Sequence, residues 1–290
     1  MSGDVDYRLR DDYRLSGATR HFTPAKWADQ TAPRIEWLVE GCFMPGAVSL
    51  ISSDGGLGKS LLMQQLCTAA ALGKPWLGFA TRRVRTYALF CEDAEDELWR
   101  RQERINRHYE CRNGDLEDAT YKSRPGLYNI LCEFDRWDAM PRPTPLFHIM
   151  QAEAGKYGAQ IIVLDTATDI FGGNEIAKDQ VRAFITLLRR WAIMASAAVI
   201  LTAHVSNEGL ATASGLSGSR AWSNSVRSRL WLTDGKKDKA GNLLDPDVRQ
   251  LRGMKNNYAA RGKPVDLKYR NGVFERVEIQ VRDWSDTDPF

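Results

Sequence analysis

The sequence VSLISSDGGLGKS, residues 48–60, joins a short apolar run to a glycine-rich turn that ends in Gly-Lys-Ser. The run 48–51 is typical of a buried strand, and residues 60–72 carry apolar side chains at helical spacing. A chain that wraps a polyphosphate with its own N–H groups needs glycines where Cβ atoms would collide, and a helix N-terminus that faces the anion. The strand, turn and helix together therefore predict a site for a nucleoside triphosphate.

Two polar residues at the end of this predicted phosphate loop are expected to contact ATP and Mg²⁺. Lys59 is expected to meet the β- and γ-phosphates of ATP, and the Ser60 hydroxyl is expected to bind Mg²⁺. The loop departs from the usual pattern at Ser53, where glycine is common, but a small residue still permits the turn. The predicted nucleotide-binding residues are Ser53, Asp54, Gly55, Gly56, Leu57, Gly58, Lys59 and Ser60.

The composition indicates a folded protein with little overall charge. The chain has 290 residues, of which 43% are hydrophobic, and this is enough for a sizeable core. Lys and Arg number 40 against 37 Asp and Glu, so the formal net charge is only +3. Any contact with nucleic acid would therefore have to come from charge that is arranged locally.

The cysteines and the apolar runs indicate a cytoplasmic protein without a membrane partner. The 5 cysteines are scattered and form no C-x-x-C pair, which favours reduced thiols over a disulfide framework or structural zinc. The start of the chain is highly charged and resembles no secretory signal. The longest apolar stretch, residues 192–203, falls short of the roughly 20 residues that a membrane span needs.

Beyond the phosphate loop, apolar strands alternate with longer helical segments, as in a parallel sheet covered by helices. The predicted strands lie at 48–51, 85–91, 160–164 and 197–202, and the predicted helices at 60–72, 94–108, 146–157 and 178–194. Polar and apolar residues then alternate at 229–233, 248–255, 265–269 and 273–279, and Asn271-Gly272 is typical of a type I′ hairpin turn. We expect an α/β fold whose mostly parallel, twisted sheet has helices on both faces and an antiparallel C-terminal edge hairpin.

The sequence predicts an arm followed by one large domain. Residues 1–36 form the predicted arm, which begins with a charged segment without apolar periodicity and which we expect to be partly mobile and available for contact between subunits. Residues 37–290 form the predicted domain, with an insertion at about 109–145. The insertion has mixed polarity and late prolines, so we expect a partly ordered excursion outside the core.

Two carboxylate positions follow predicted strands and are candidates for catalysis. Hydrolysis needs a group that orients or deprotonates water, in addition to Mg²⁺ and a lysine. Glu92 and Asp93 follow one strand and Asp165 follows another, and the carboxyl ends of parallel strands face the crevice where ligands bind. We predict Glu92 as the base and Asp165 as the acid on the Mg²⁺ side. Asp93 is the weaker candidate for the base, or the cap of the following helix, and Asp165 has a cap-like role as its alternative.

A fourth strand ends in Thr202-Ala203-His204 before a loop rich in Gly and Ser. Together with the phosphate loop, Glu92 and Asp165, this strand resembles the RecA-like P-loop ATPases, and most closely the RepA-type hexameric replicative helicases of plasmids and phages. The resemblance covers about residues 37–258. It implies that His204 senses the γ-phosphate and couples it to the loop, whereas the simpler alternative is a histidine satisfied at a strand end.

Two loops are candidates for contact with single-stranded DNA. The loop 205–219 has no Lys or Arg but offers backbone N–H groups and side chains, and the resemblance implies that it faces the channel of a ring. The segment 171–178, which ends in Lys178, is the second candidate. The DNA candidates on the first loop are Asn207, Ser214 and Ser217. An ordinary surface loop is the alternative for both.

The resemblance also implies a cation that one subunit supplies to the phosphoryl group bound by its neighbour. Lys255 lies in a segment similar to the finger hairpin of some relatives, while Arg227 and Arg220 follow the long loop as in others. All three remain candidates, and solvated structural charge is the alternative for each.

These features predict an Mg²⁺-dependent ATPase that acts in DNA replication as a ring-shaped helicase, a homo-oligomer that translocates on single-stranded DNA. One alternative is a recombinase-like ATPase that binds DNA as a filament. The other is a nucleotide-gated regulatory module with weak hydrolysis, which the presence of Glu92 disfavours because a switch needs no base.

Overall fold

The computed structural model describes residues 22–135, 139–205 and 220–277. The chain divides into two units, residues 1–35 and 36–290. In the first unit the described residues are all exposed, and they include one 3₁₀ turn, Pro24–Trp27. The rings of Phe22 and Trp27 lie 5.0 Å apart there, beside the Lys26 ammonium. The rest of the predicted arm, residues 1–21, lies outside the described residues.

The second unit is organised around a sheet that has nine strands in the described ranges. In chain order the strands are β1 Val48–Ser53, β2 Thr86–Phe90, β3 Ala119–Ser123, β4 Cys132–Glu133, β5 Arg142–Pro143, β6 Ile161–Asp165, β7 Phe171–Gly172, β8 Ala198–His204, β9 Ser228–Asp234, β10 Val248–Asn256, β11 Val265–Arg270 and β12 Val273–Arg276. The main sheet has the order β12-β11-β10-β9-β1-β8-β6-β2-β3, and β5-β4-β7 form a small second sheet.

The strands from β9 to β3 in this order run parallel, while β10, β11 and β12 pair antiparallel at the other edge. Every residue of β1, β2 and β6 is buried, as expected for strands that are covered on both faces. The described helices are α1 Lys59–Leu72, α2 Glu95–Tyr109, α3 Pro145–Tyr157, α4 Ala167–Ile170, α5 Lys178–Met194 and α6 Arg220–Ser225, and a 3₁₀ turn lies at Asn113–Asp115.

Two apolar cores lie on the two faces of the sheet. On one face α1 and α2 contribute Leu62 and Leu98 to a cluster that includes Ile51 of β1. On the other face α3 and α5 contribute residues such as Phe147 and Trp191, which pack with the alternate residues of the strands. The predicted α/β fold, with helices on both faces and an antiparallel C-terminal edge, is confirmed.

The segment 109–145 differs from the excursion that its composition predicts. Its residues 119–123 form β3, which pairs in parallel with β2 at the edge of the main sheet. Leu131 and Cys132 are fully buried, and β4 joins the small sheet. All residues of β3 are only half-buried, so an edge strand of this kind has little of the apolar pattern by which strands are predicted.

Candidate active site

A pocket of about 520 Å³ opens at the carboxyl ends of the central strands. The register of the sheet accounts for its position, because Ser53 lies opposite His204 and Phe90 lies opposite Asp165 in adjacent parallel strands. Residues that follow such strands emerge at the same edge of the sheet. The lining includes residues 56–61, Glu92, Asp93, Thr166 and His204.

The phosphate loop leaves room for an anion in front of α1. Gly56 and Gly58 have φ values of +74° and +95°, a region that favours glycine. A Cβ on Gly58 would lie 2.7 Å from the Phe274 ring, whereas nothing lies within 4 Å of a Cβ built on Gly55 or Gly56. The helix that begins at Lys59 has no side-chain cap, so its first N–H groups remain available to a phosphate.

The Lys59 ammonium is buried and bonded within the loop. It donates to Ser53 Oγ at 3.0 Å and approaches the Asp54 carbonyl oxygen at 3.3 Å and His204 Nδ1 at 3.4 Å. Burial lowers the pKa of Lys59, while the charges of Asp165, Glu92 and Asp54 oppose this shift. The charge is therefore held in place by neighbours that a phosphate can replace.

Asp165 is the last residue of β6 and is only 3% exposed. Its carboxylate accepts hydrogen bonds from the Thr202 and Ser60 hydroxyls. Burial raises its pKa, and these two hydrogen bonds act in the opposite direction. The two residues predicted for Mg²⁺, Ser60 and Asp165, thus contact each other directly. A hydroxyl and a carboxylate oxygen are ligands that Mg²⁺ accepts, so the residues present fit ATP with Mg²⁺.

In contrast to Asp165, Glu92 has an exposed side chain, which lines the pocket. It makes no hydrogen bond to any residue in the described ranges. Asp93 is instead engaged by Arg101, whose nitrogens lie 2.6 and 2.8 Å from the two carboxylate oxygens. The N-cap of α2 is Ala94, so the alternative of Asp93 as a helix cap is wrong.

His204 ends β8 and lines the pocket beside Lys59. The loop that follows lies outside the described residues from 206 to 219, together with Asn207, Ser214 and Ser217. Lys178 is the exposed first residue of α5 and does not line the described pocket. The structure therefore brings Lys59, Ser60, Glu92, Asp165 and His204 together, and it leaves Lys178 apart.

The second candidate loop is tied to the segment that was predicted to be an insertion. Its first residues, Phe171–Gly172, form β7 and pair with β4. Gln180 accepts from the backbone N–H of Asn174 at 2.8 Å and donates to the Asp135 carbonyl oxygen at 3.4 Å. The start of this loop is thus part of the folded unit.

Two of the finger candidates, Lys255 and Arg227, do not line the described pocket. The Lys255 ammonium donates to the carbonyl oxygens of Ser223 and Asn224, both at 3.1 Å, at the end of α6. Burial lowers the pKa of Lys255, and the charges of Arg227, Arg229 and Arg189 add to this effect. Arg220 is the first residue of α6, and its side chain lies outside the described part.

Several residues of the pocket were not predicted to belong to the site. They are Glu97, Arg101, Arg104, Thr166, Arg249, Tyr269, Gly272 and Phe274. The aromatic pair comes from the β11–β12 hairpin, which Gln65 of α1 holds by donating to the Phe274 carbonyl oxygen at 3.0 Å and accepting from its N–H at 2.8 Å. The alternating pattern of the hairpin indicated its strands but not its position beside the phosphate loop.

This sheet order, with a phosphate loop after β1 and carboxylates after β2 and β6, defines a RecA-like P-loop ATPase. A family model described as an AAA domain matches residues 15–209, and the chain belongs to this family. Proteins of this class bind a nucleotide and usually Mg²⁺.

Among solved structures, the chain is similar to a KaiC-like protein from the hyperthermophilic archaeon Pyrococcus horikoshii. The TM-score is 0.56 at 15% sequence identity, and the likeness covers 85% of this chain and 100% of the other. It supports the fold. No match was found among curated proteins. None of the described helices combines the length and the apolar character that a membrane crossing requires.

Proposed function

We propose that the chain is a RepA-type replicative helicase in the cytoplasm, which hydrolyses ATP to translocate on single-stranded DNA as a hexameric ring. The observation that carries the proposal is the position of His204. It contacts Lys59 in the pocket, and it stands directly before the long polar loop that begins at residue 205. A change at the phosphates can therefore reach a DNA-facing segment through one residue.

The residues divide the work of hydrolysis between binding and reaction. Lys59 exchanges its bonds to Ser53 and Asp54 for the β- and γ-phosphates, while Ser60 and Asp165 hold Mg²⁺. Mg²⁺ held by these two residues would supply positive charge against the phosphoryl oxygens. Glu92 orients the attacking water and takes its proton. Its exposed carboxylate suits this role because it accepts no hydrogen bond from the described residues.

In this proposal, a neighbouring subunit supplies a further positive charge to the γ-phosphate of the bound ATP. Lys255, Arg227 and Arg220 are the candidates, and the first two belong to a basic group with Arg189 and Arg229. Because Lys255 already contacts the end of α6, we favour Arg227 as the group that reaches the neighbour's γ-phosphate. Replacing each candidate by Ala should leave nucleotide affinity nearly unchanged, and Arg227→Ala should lower turnover the most, by about 10³-fold.

Mixing of variants tests this arrangement. Lys59→Ala subunits have a defective pocket but an intact finger, and Arg227→Ala subunits have the reverse defect. A mixture should recover turnover that neither variant shows alone. Full turnover from a protein that light scattering finds monomeric at all concentrations would contradict the ring.

The DNA contact is tested by shortening the loop between Glu208 and Ser217. We expect single-stranded DNA to stimulate ATP turnover by the parent, with an affinity that falls as salt increases. The shortened variant should lose this stimulation and keep its basal turnover. Lys178→Ala serves as the comparison for the second loop.

Each other outcome has a definite meaning. Stimulation that survives the shortening and falls in Lys178→Ala would place DNA at the second loop. If no nucleic acid changes the ATP turnover of the parent protein, the result favours the hypothesis of a regulatory module over that of a helicase. Filaments on DNA in place of rings would favour the recombinase-like alternative.

A further inference from the structure

Arg101, which lines the pocket, forms ion pairs with two carboxylates, Asp93 and Glu97. It lies within α2 and grips the Asp93 carboxylate with two nitrogens, at 2.6 and 2.8 Å. Its Nε donates to Glu97 Oε1 at 3.0 Å. The side chains of Arg101 and Asp93 are 20% and 17% exposed, so water screens this pair only partly. A bidentate pair of this kind fixes direction as well as distance.

The backbone on both sides of Glu92 is anchored. On one side, the Cys91 N–H donates to the carbonyl oxygen of Asp165 at 2.8 Å. On the other side, the Ser123 hydroxyl of β3 donates to the carbonyl oxygen of Asp93 at 2.8 Å, and Arg101 holds the Asp93 side chain. The free Glu92 side chain thus projects from a junction that is fixed on both sides.

We propose that Arg101 is a positioning residue which, by pinning Asp93 together with Ser123, aims the Glu92 carboxylate at the attacking water. The inference rests on the proposed function of Glu92. It also gives the segment 109–145 a part in the reaction, since β3 supplies Ser123. A base that is displaced by about 1 Å can cost roughly 10²-fold in rate, so a rigid support for Glu92 has a measurable consequence.

Arg101→Gln is the principal variant and Arg100→Gln is its control. Arg100 is the preceding residue on the same helix, is 62% exposed and, among the described residues, forms an ion pair with Glu97 at 3.2 Å. We expect Arg101→Gln to lower kcat by about 10- to 100-fold and to change the ATP affinity by no more than about twofold. Arg100→Gln should leave both unchanged. Arg101→Lys should restore only part of kcat, because an ammonium cannot form the two parallel bonds.

A merely structural role is separated by the effect of Arg101→Gln in a Glu92→Gln background, measured by single-turnover hydrolysis. If Arg101 acts through Glu92, it should cause little further loss there, whereas a general weakening of the fold would lower the rate in both backgrounds. Thermal unfolding of every variant checks the fold. Should Arg101→Gln fail to fold, Ser123→Ala carries the test, with a smaller loss of kcat expected and the same dependence on Glu92.

The results distinguish this inference from the function on which it rests. Parental kcat in Arg101→Gln, with Glu92→Gln inactive, overturns the positioning role and leaves Glu92 as the base. An equal loss in both backgrounds also overturns it. Parental turnover in Glu92→Gln overturns both assignments together.

Discussion

The two sides of the nucleotide pocket are built on different principles. On the phosphate side, Lys59 and Asp165 are 6% and 3% exposed and are bonded to their neighbours before any ligand arrives. On the water side, Glu92 is exposed and unbonded within the described ranges, although the chain around it is anchored. Charged groups that bind phosphate and Mg²⁺ can be fixed in place before the ligand binds, whereas a catalytic base must remain free to accept a proton. The difference predicts that substitutions on the two sides change different steps.

Loss of the phosphate-side cation should have the largest effect. Lys59→Ala should weaken ATP binding by about 10²-fold or more and abolish turnover, because Lys59 meets charge that is already present in the ground state. Equilibrium titration with ATP measures the binding. Lys178→Ala, which removes an exposed lysine away from the pocket, should bind ATP like the parent. Unchanged ATP affinity in Lys59→Ala would mean that Lys59 does not bind the phosphates, and the proposed difference between the two sides of the pocket would be wrong.

Loss of the water-side carboxylate should affect only the reaction. Glu92→Gln should keep its ATP affinity and lose roughly 10²- to 10⁴-fold in turnover, the usual contribution of a positioned base. Glu95→Gln is the matched control, since Glu95 is exposed nearby and does not line the pocket. If Glu92→Gln hydrolyses ATP at the parental rate, the base lies elsewhere and Asp93 is the next residue to test.

The β11–β12 hairpin contributes an aromatic side chain to the pocket. Tyr269 lines the pocket and is 40% exposed, so its ring is available to stack on the adenine of ATP. Tyr269→Ala should raise KM for ATP by about tenfold with little change in kcat, because stacking contributes roughly 1–3 kcal/mol. Tyr258→Ala is the control, at 37% exposure and outside this pocket. Equal effects of the two substitutions on KM would mean that the adenine of ATP does not stack on Tyr269.

The smallest effect concerns the stability of the phosphate side. Because burial raises the pKa of Asp165 in the folded chain, the folded state loses stability relative to the unfolded state as pH rises from the unfolded to the folded pKa of this carboxyl. Asp165→Asn should therefore increase Tm near neutral pH without ligands. The gain should vanish at low pH, where both side chains are neutral, and Mg²⁺-dependent turnover should be lost.

Thermal scans at several pH values, with exposed Asp96→Asn as the control, measure this stability change. A Tm for Asp165→Asn that stays below the parental value at neutral pH would mean that the hydrogen bonds from Thr202 and Ser60 outweigh the cost of burying the charge.

Local patterns in the sequence were enough to locate the phosphate loop and the acids and histidine nearest to it, but not the remaining polar residues of the pocket. The phosphate loop, Glu92, Asp165 and His204 each lie at or just beyond the end of an apolar strand, and parallel strands bring such residues to one edge of the sheet. The same local signal failed for β3, because an edge strand with half-buried residues has no strong apolar pattern. It also gave Asp93 a possible role as a helix cap, whereas the helix N-cap is Ala94 and the Asp93 carboxylate is bound by Arg101.

Neighbouring residues along the chain were sufficient to predict the central strands, the long helices, the glycines of the phosphate loop and the acids at the strand ends, because these features depend on local patterns. Only the tertiary structure decided that Arg101 grips Asp93, that Ser123 reaches the same junction, and that the hairpin with Tyr269 lies beside α1. Gln65 and Phe274, which join α1 to that hairpin, are 209 positions apart in the chain. Contacts of this kind follow from the packing of the whole sheet, so no short stretch of sequence encodes them.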